Sequence, residues 1–183
     1  MVPQRMNVRS LILCSSSALI LGIHAHSVSA AEPGTSVPSQ GNIHVESLDV
    51  PHVPYNSNPP TSGPHLPFLA PWGIHHSPIP KELQVHNLED GGVVIQYKCT
   101  DCPELVTKLE RLVQGYLQQA DEEKKKNGFT RHDHILLAPY PGMDATIALT
   151  AWGRIDKLNQ YDEQRIKSFI EAYIGIDHHP GRE

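Results

Sequence analysis

Long apolar runs are absent after residue 30, so no later segment of the 183-residue chain is suited to enter a bilayer. Basic clusters are scarce as well, Lys124-Lys125-Lys126 apart. Fifteen Lys+Arg stand against 20 Asp+Glu, a balance that argues against nucleic acid as a partner. There is no G-x-S-x-G elbow, and no Ser or Cys stands beside a clearly placed base. H-E-x-x-H and a phosphate-cradling glycine loop are also missing. Carboxylates are plentiful, but none pair convincingly for acid–base work. Nothing here demands an enzyme, and a non-catalytic role is the better reading.

What is present begins with an export signal. Arg5 and Arg9 form a basic start, no acid occurs before Glu32, and LILCSSSALILGI (Leu11 to Ile23) is apolar. Val28-Ser29-Ala30 then supplies a small-x-small cleavage site. The run is interrupted by three serines and followed by His24 and His26, which makes it marginal as a retained membrane anchor. Residues 1–30 are therefore expected to be a cleaved signal peptide, and the mature form to be periplasmic or secreted and not membrane-spanning. Cleavage removes both arginines and no acid, shifting the net charge from −5 to −7. It also removes Cys14, leaving Cys99 and Cys102 in a compartment that permits disulfides.

Eleven of the 16 prolines lie in residues 31–80. Residues 31–54 are poor in aromatics and read as a flexible tether. From Tyr55 the prolines are joined by Phe68, Leu69 and Trp72, which suggests an extended segment pinned onto a core. Strands are predicted at VVIQY (Val93 to Tyr97), HILLAP (His134 to Pro139) and TIALTAW (Thr146 to Trp152), the last two joined as a hairpin through Pro141-Gly142. Asp101 is placed as the cap of a helix whose stripe runs from Leu105 to Ala120, and Asp162 as the cap of a second carrying Ile166, Phe169 and Ile170. The expectation is an α+β domain over 55–176, with a small mixed sheet of about three strands and two amphipathic helices on one face. A Pro-rich ordered segment precedes it, and residues 177–183 form a tail.

Histidine is the unusual component. Ten of the 12 remain after residue 30, in an acidic chain where neutral imidazoles beside carboxylates suit a transition metal. His44 and His52 in the tether, and His178-His179 in the tail, read as scattered surface residues. The sharper group is His65 in PPTSGPH, His75-His76 after Trp72-Gly73, and His86 in HNLEDGG; His65 and His86 lie in segments dense with Pro and Gly, where site residues tend to sit. If a helical turn opens at His86, Glu89 and Asp90 fall on its side, although a Glu89 hydrogen bond to the glycine turn explains the same letters. His132 and His134 share a strand side and read as solvated. Cys99-Thr100-Asp101-Cys102 sits between strand and helix, where thioredoxin-like enzymes carry C-x-x-C, but Asp101 disfavours a thiolate. A structural disulfide is favoured over a redox or metal role.

PPTSGPH (Pro59 to His65), APWG (Ala70 to Gly73), HNLEDGGVVIQY (His86 to Tyr97) and ALTAWGR (Ala148 to Arg154) resemble a bacterial family known as domain of unknown function 3105. The likeness covers residues 55–175. In that family the central motif usually reads HNLEHGG, so Asp90 stands where a second histidine is usual. If the paired imidazoles bind a metal, a harder ligand replaces one here and shifts preference away from Cu(I), while Met143 in PYPGMDA supplies a soft donor. The family's exported or membrane-anchored setting is compatible with copper handling.

The resulting expectation is an exported metal-binding protein for sequestration or delivery, with copper the leading ion and zinc the alternative. His65 and His86 are its principal ligands, followed by Asp90 and Met143. The partners are the metal ion and another exported protein. The rivals are a thiol–disulfide oxidoreductase using Cys99 and Cys102, and an adaptor docking through an exposed Trp72. N-terminal sequencing of the exported form is expected to begin at Ala31.

Overall fold

The structure, a computed structural model, describes Met1 and residues 31–181; the signal segment expected over residues 1–30 and Cys14 lies, Met1 apart, outside the described residues. Residues Glu32–Glu183 form a compact unit that contains every strand and helix described. In chain order these are β1 (Thr35–Ser36), β2 (Gly73–Ile74), α1 (Lys81–Glu89), β3 (Val93–Tyr97), α2 (Pro103–Asn127), β4 (Ile135–Pro139), β5 (Ile147–Ala151), β6 (Arg154–Leu158) and α3 (Glu163–Tyr173).

The α+β class stands, but the sheet has six strands, not about three, in the order β1-β6-β5-β3-β4-β2. The expected β4–β5 hairpin is also corrected. Both strands pair with β3, β4 in parallel and β5 antiparallel, so β3 lies between them. The parallel β3–β4 pair needs a long crossover, which α2 supplies. The actual hairpin joins β5 to β6 through Trp152-Gly153, with Gly153 at φ +65°. β6 (RIDKL) has a polar, weakly strand-like text. It is held by antiparallel pairing to β5 and by Arg165 of α3, which grips Asp156 with two hydrogen bonds of 2.8 and 2.6 Å. β1 and β2 have two residues each, and long-range pairing alone defines them.

The alternation of β3 explains the layers. Val93, Ile95 and Tyr97 join Ile135, Leu137, Ile147 and Leu149 on one face, under Leu109, Leu112, Val113 and Tyr116 of α2 and Ile166, Phe169 and Ile170 of α3. Val94, Leu136 and Ala138 form the opposite face and are covered by Leu88 of α1 with Ala70 and Ile79 of the Pro-rich segment. Asp162 caps α3 as predicted, accepting from the Arg165 N–H at 3.0 Å. Asp101 does not cap α2. Cys102 holds that position without a side-chain cap, and Pro103 opens the helix.

Residues 31–54, expected as a flexible tether, are tied to the domain along their length. Val37 N–H donates to Gly153 O, Val45 N–H to His65 O, and His65 N–H to Ile43 O. The tail is likewise docked, with Gly175 N–H on Gly91 O at 2.7 Å and His178 N–H on Glu89 O at 2.9 Å. Gly91 and Gly92 make this approach possible. Gly91 has φ +81°, and a Cβ there would meet Ile176 N at 2.8 Å. A Cβ on Gly92 would meet Asn87 O and stand 2.6 Å from the Trp72 ring. Trp72 is thereby half-buried over the start of β3, so the expectation of an exposed docking tryptophan is corrected. Gly92→Ala is expected to lower the thermal midpoint, at a cost of about 1–3 kcal/mol from overpacking; circular-dichroism melts measure it.

Candidate metal centre

KELQVHNLE has no apolar stripe, so its letters do not predict α1. It buries Gln84, Val85, Asn87, Leu88 and Glu89, three of them polar. Buried polar groups need partners, and each finds one. Gln84 receives the Gln96 side-chain amide at 2.5 Å and donates to Ile79 O at 2.6 Å. Asn87 accepts from Ala70 N–H and donates to Ala70 O, both at 2.9 Å, which clamps the APWG segment to the helix. His86 and Glu89 occupy the last turn, with His86 in the closing turn of a helix and not the opening of one.

Three parts of the chain bring donors together near the start of β3. The Pro-rich path delivers His65, whose side chain is fully buried. Its Nδ1–H donates to Gly63 O at 2.7 Å, since a carbonyl can only accept, and Nε2 lies 3.0 Å from Glu89 Oε2. α1 delivers Glu89, 1 % exposed, and His86, whose Nδ1–H donates to Leu66 O at 2.8 Å. The N-terminal segment delivers His44 through a parallel bridge to His65, placing its Nε2 3.8 Å from the same Glu89 oxygen. One donor atom from each of His44, His65, His86 and Glu89 lies within 4.8 Å of every other. The ring centroids of His44, His65 and His86 are 4.8–5.2 Å apart. Neighbouring ligands around a tetrahedral ion with ~2.0–2.1 Å bonds stand roughly 3.3 Å apart, so small side-chain adjustments close this set.

The electrostatics suit a cation. Desolvation holds the His65 ring below the ordinary histidine value, and outweighs the opposing effects of the Gly63 carbonyl and Glu89. The ring is therefore neutral at neutral pH, as a ligand must be. Its Nε2 lone pair then faces a carboxylate oxygen, an arrangement that a metal ion between them satisfies. Fixing Nδ1–H on a backbone carbonyl is how metal-ligating imidazoles are oriented.

A second group overlaps the first and consists of His86, Asp90 and His179. His179 Nδ1 bonds Asp177 Oδ1 at 2.6 Å, while Nε2 lies 3.4 Å from Asp90 Oδ1 and 3.6 Å from Glu89 Oε2. Of the four ligands expected from sequence, His65, His86 and Asp90 thus stand in these groups. Met143 is packed with Tyr140 and Ala148, beyond the opposite end of β3, and its carbonyl accepts from Lys98. Cys99 and Cys102 form a disulfide at that same far end. β3 is five residues long, about 17 Å at a strand's rise, and neither sulfur source joins the histidines. His44 and His179 are the donors that sequence reasoning set aside, and no local spacing marks them; Glu89 is raised by its spacing from His86 but does not enter the expected ligand set. His75 bonds Pro71 O, and His132 bonds Glu123; neither belongs to either group.

This is a mixed-sheet α+β domain with a histidine–carboxylate cluster at one end of its sheet. The chain belongs to the family described as Protein of unknown function (DUF3105), whose model matches residues 48–183. That span includes His65, His86, Glu89, Asp90 and His179, while His44 lies just before it. No curated protein and no solved structure matches the chain.

The Asn87 clamp separates structural from ligating letters in HNLEDGG. Asn87→Ala leaves the Ala70 N–H and C=O buried without their partner, at about 1–3 kcal/mol for each group, while removing no cluster donor. A clear fall in the denaturant midpoint is expected, as read by chemical unfolding.

Proposed function

We propose that the chain is an exported protein that binds one divalent transition-metal ion through His44, His65, His86 and Glu89, for sequestration or delivery. The observation that carries this reading is the pair of imidazoles of His65 and His86. Each is anchored by Nδ1–H to a backbone carbonyl; His65 Nε2 lies 3.0 Å from the buried Glu89 carboxylate, and His86 offers a donor atom within 4.8 Å of those of His65 and Glu89. Neither donor group contains sulfur, which favours Cu(II) or Zn(II) over Cu(I). The order of divalent affinities then makes copper the leading ion and zinc the alternative. No general base is needed for such a role. The His44 side chain, 47 % exposed, leaves the cluster open to exchange with solvent or with a partner protein.

The oxidoreductase alternative draws on one observation, an exposed Cys99 in a disulfide immediately before α2. A helix N-terminus stabilises a thiolate there, but Asp101 within the loop opposes it. Activity in an insulin-reduction assay supports that alternative, and its absence counts against it.

To test the metal reading, the protein is purified without an affinity tag, dialysed against Cu(II) or Zn(II), and its bound metal measured. One ion per chain is expected, with a rise in thermal stability of about 2.7 kcal/mol at a hundredfold excess over Kd. His86→Ala and Glu89→Gln are each expected to abolish stoichiometric binding. An unchanged stoichiometry in the His65→Ala/His86→Ala double variant removes these residues from the site.

A further inference from the structure

The two donor groups share His86, and His86 has one nitrogen to give. Its Nδ1 is committed to Leu66 O, so the ring cannot bridge two ions, and the two groups are alternative positions for one ion. They differ in depth. Three of the four inner side chains, His65, His86 and Glu89, are 0, 12 and 1 % exposed, and the fourth, His44, is 47 % exposed at the edge of the group. In the outer group Asp90 and His179 are 25 and 26 % exposed. Glu89 Oε2 borders both, 3.0 Å from His65 Nε2 and 3.6 Å from His179 Nε2.

The tail is built to hold His179 in this place. Gly175 N–H bonds Gly91 O, His178 N–H bonds Glu89 O, and the His178 ring stacks on Trp152. Asp177 Oδ1 accepts from His179 Nδ1 and from the His179 backbone N–H at 2.9 Å. A carboxylate behind an imidazole whose other nitrogen points at a donor cluster is the arrangement that orients metal ligands and raises their basicity.

We propose that His86, Asp90 and His179 form an outer capture position on the C-terminal tail, from which a divalent ion passes to the inner His44–His65–His86–Glu89 position without leaving His86. This rests on the metal-binding reading above and adds to it a path and a role for the tail. Asp90 and His179 are exchanged for His65, His44 and Glu89 as the ion moves inward. Its coordination is then never stripped to a single ligand, and the reverse order governs release.

The test compares the wild type with His179→Ala, Asp90→Asn and Asp177→Asn. Bound Cu(II) is measured at equilibrium, and loading and EDTA-driven release are followed by stopped-flow tryptophan quenching, since Trp152 lies 6.2 Å from His65 by ring centroid. The proposal expects one ion per chain in all four proteins. Loading and release should slow by about tenfold or more in His179→Ala and Asp90→Asn, and by less in Asp177→Asn, which keeps the ligand but loosens it. Two ions per chain, or unchanged rates in His179→Ala with one ion bound, overturns the relay while leaving the metal site intact. Absence of Cu(II) and Zn(II) binding by the wild type overturns the metal-binding reading itself. Circular dichroism on each variant separates a lost relay from a lost fold.

Discussion

The constraint on which this end of the molecule depends is the burial of the Glu89 carboxylate. Removing a carboxylate from water costs several kcal/mol even after relaxation, unless other groups replace the lost hydration. Here three imidazoles from remote parts of the chain line that carboxylate, His65 from the Pro-rich path, His44 from the N-terminal segment and His179 from the tail, all within 3.8 Å of the same oxygen. The neutral His65 ring, its Nδ1–H spent on Gly63 O, offers that oxygen no proton, so a cation between the two would supply the missing stabilisation. The carboxylate thereby organises segments that contain little regular structure of their own.

That requirement also explains why α1 is polar where it is buried. The helix packs Leu88 onto the second face of the sheet and uses Gln84 and Asn87 to satisfy the backbone of the segment crossing it. The Gly91-Gly92 turn then brings the tail backbone within hydrogen-bonding distance and seats the Trp72 ring against the chain. A motif such as HNLEDGG thus mixes three duties: donors at His86, Glu89 and Asp90, a clamp at Asn87, and close backbone approach at the two glycines. Reading every polar letter in it as a ligand would misassign Asn87, whose side chain is spent on the Ala70 backbone.

Elements driven by a local pattern were legible before the fold was known. β3 has the predicted bounds, and α2 and α3 follow the 3.6-residue stripe with Asp162 as a cap. Elements defined by long-range partners were not. β1 and β2 are two-residue pairings, β6 is largely polar, and α1 lacks a stripe, so their existence depends on what they meet. The same distinction divides the candidate site. His65 and His86 stand out by the Pro and Gly near them in the sequence, although His86 itself lies in α1, whereas His44 and His179 lie in text that reads as tether and tail.

The α+β class, the two amphipathic helices, the central strand and the candidacy of His65 and His86 are legible in the chain's letters, because periodicity and turn chemistry act over a few residues. The six-stranded order, the distance of Met143 and the Cys99–Cys102 disulfide from the histidines, and the convergence of His44, Glu89 and His179 emerge with the folded chain. Those outcomes depend on contacts between residues far apart in the chain, which local spacing does not encode.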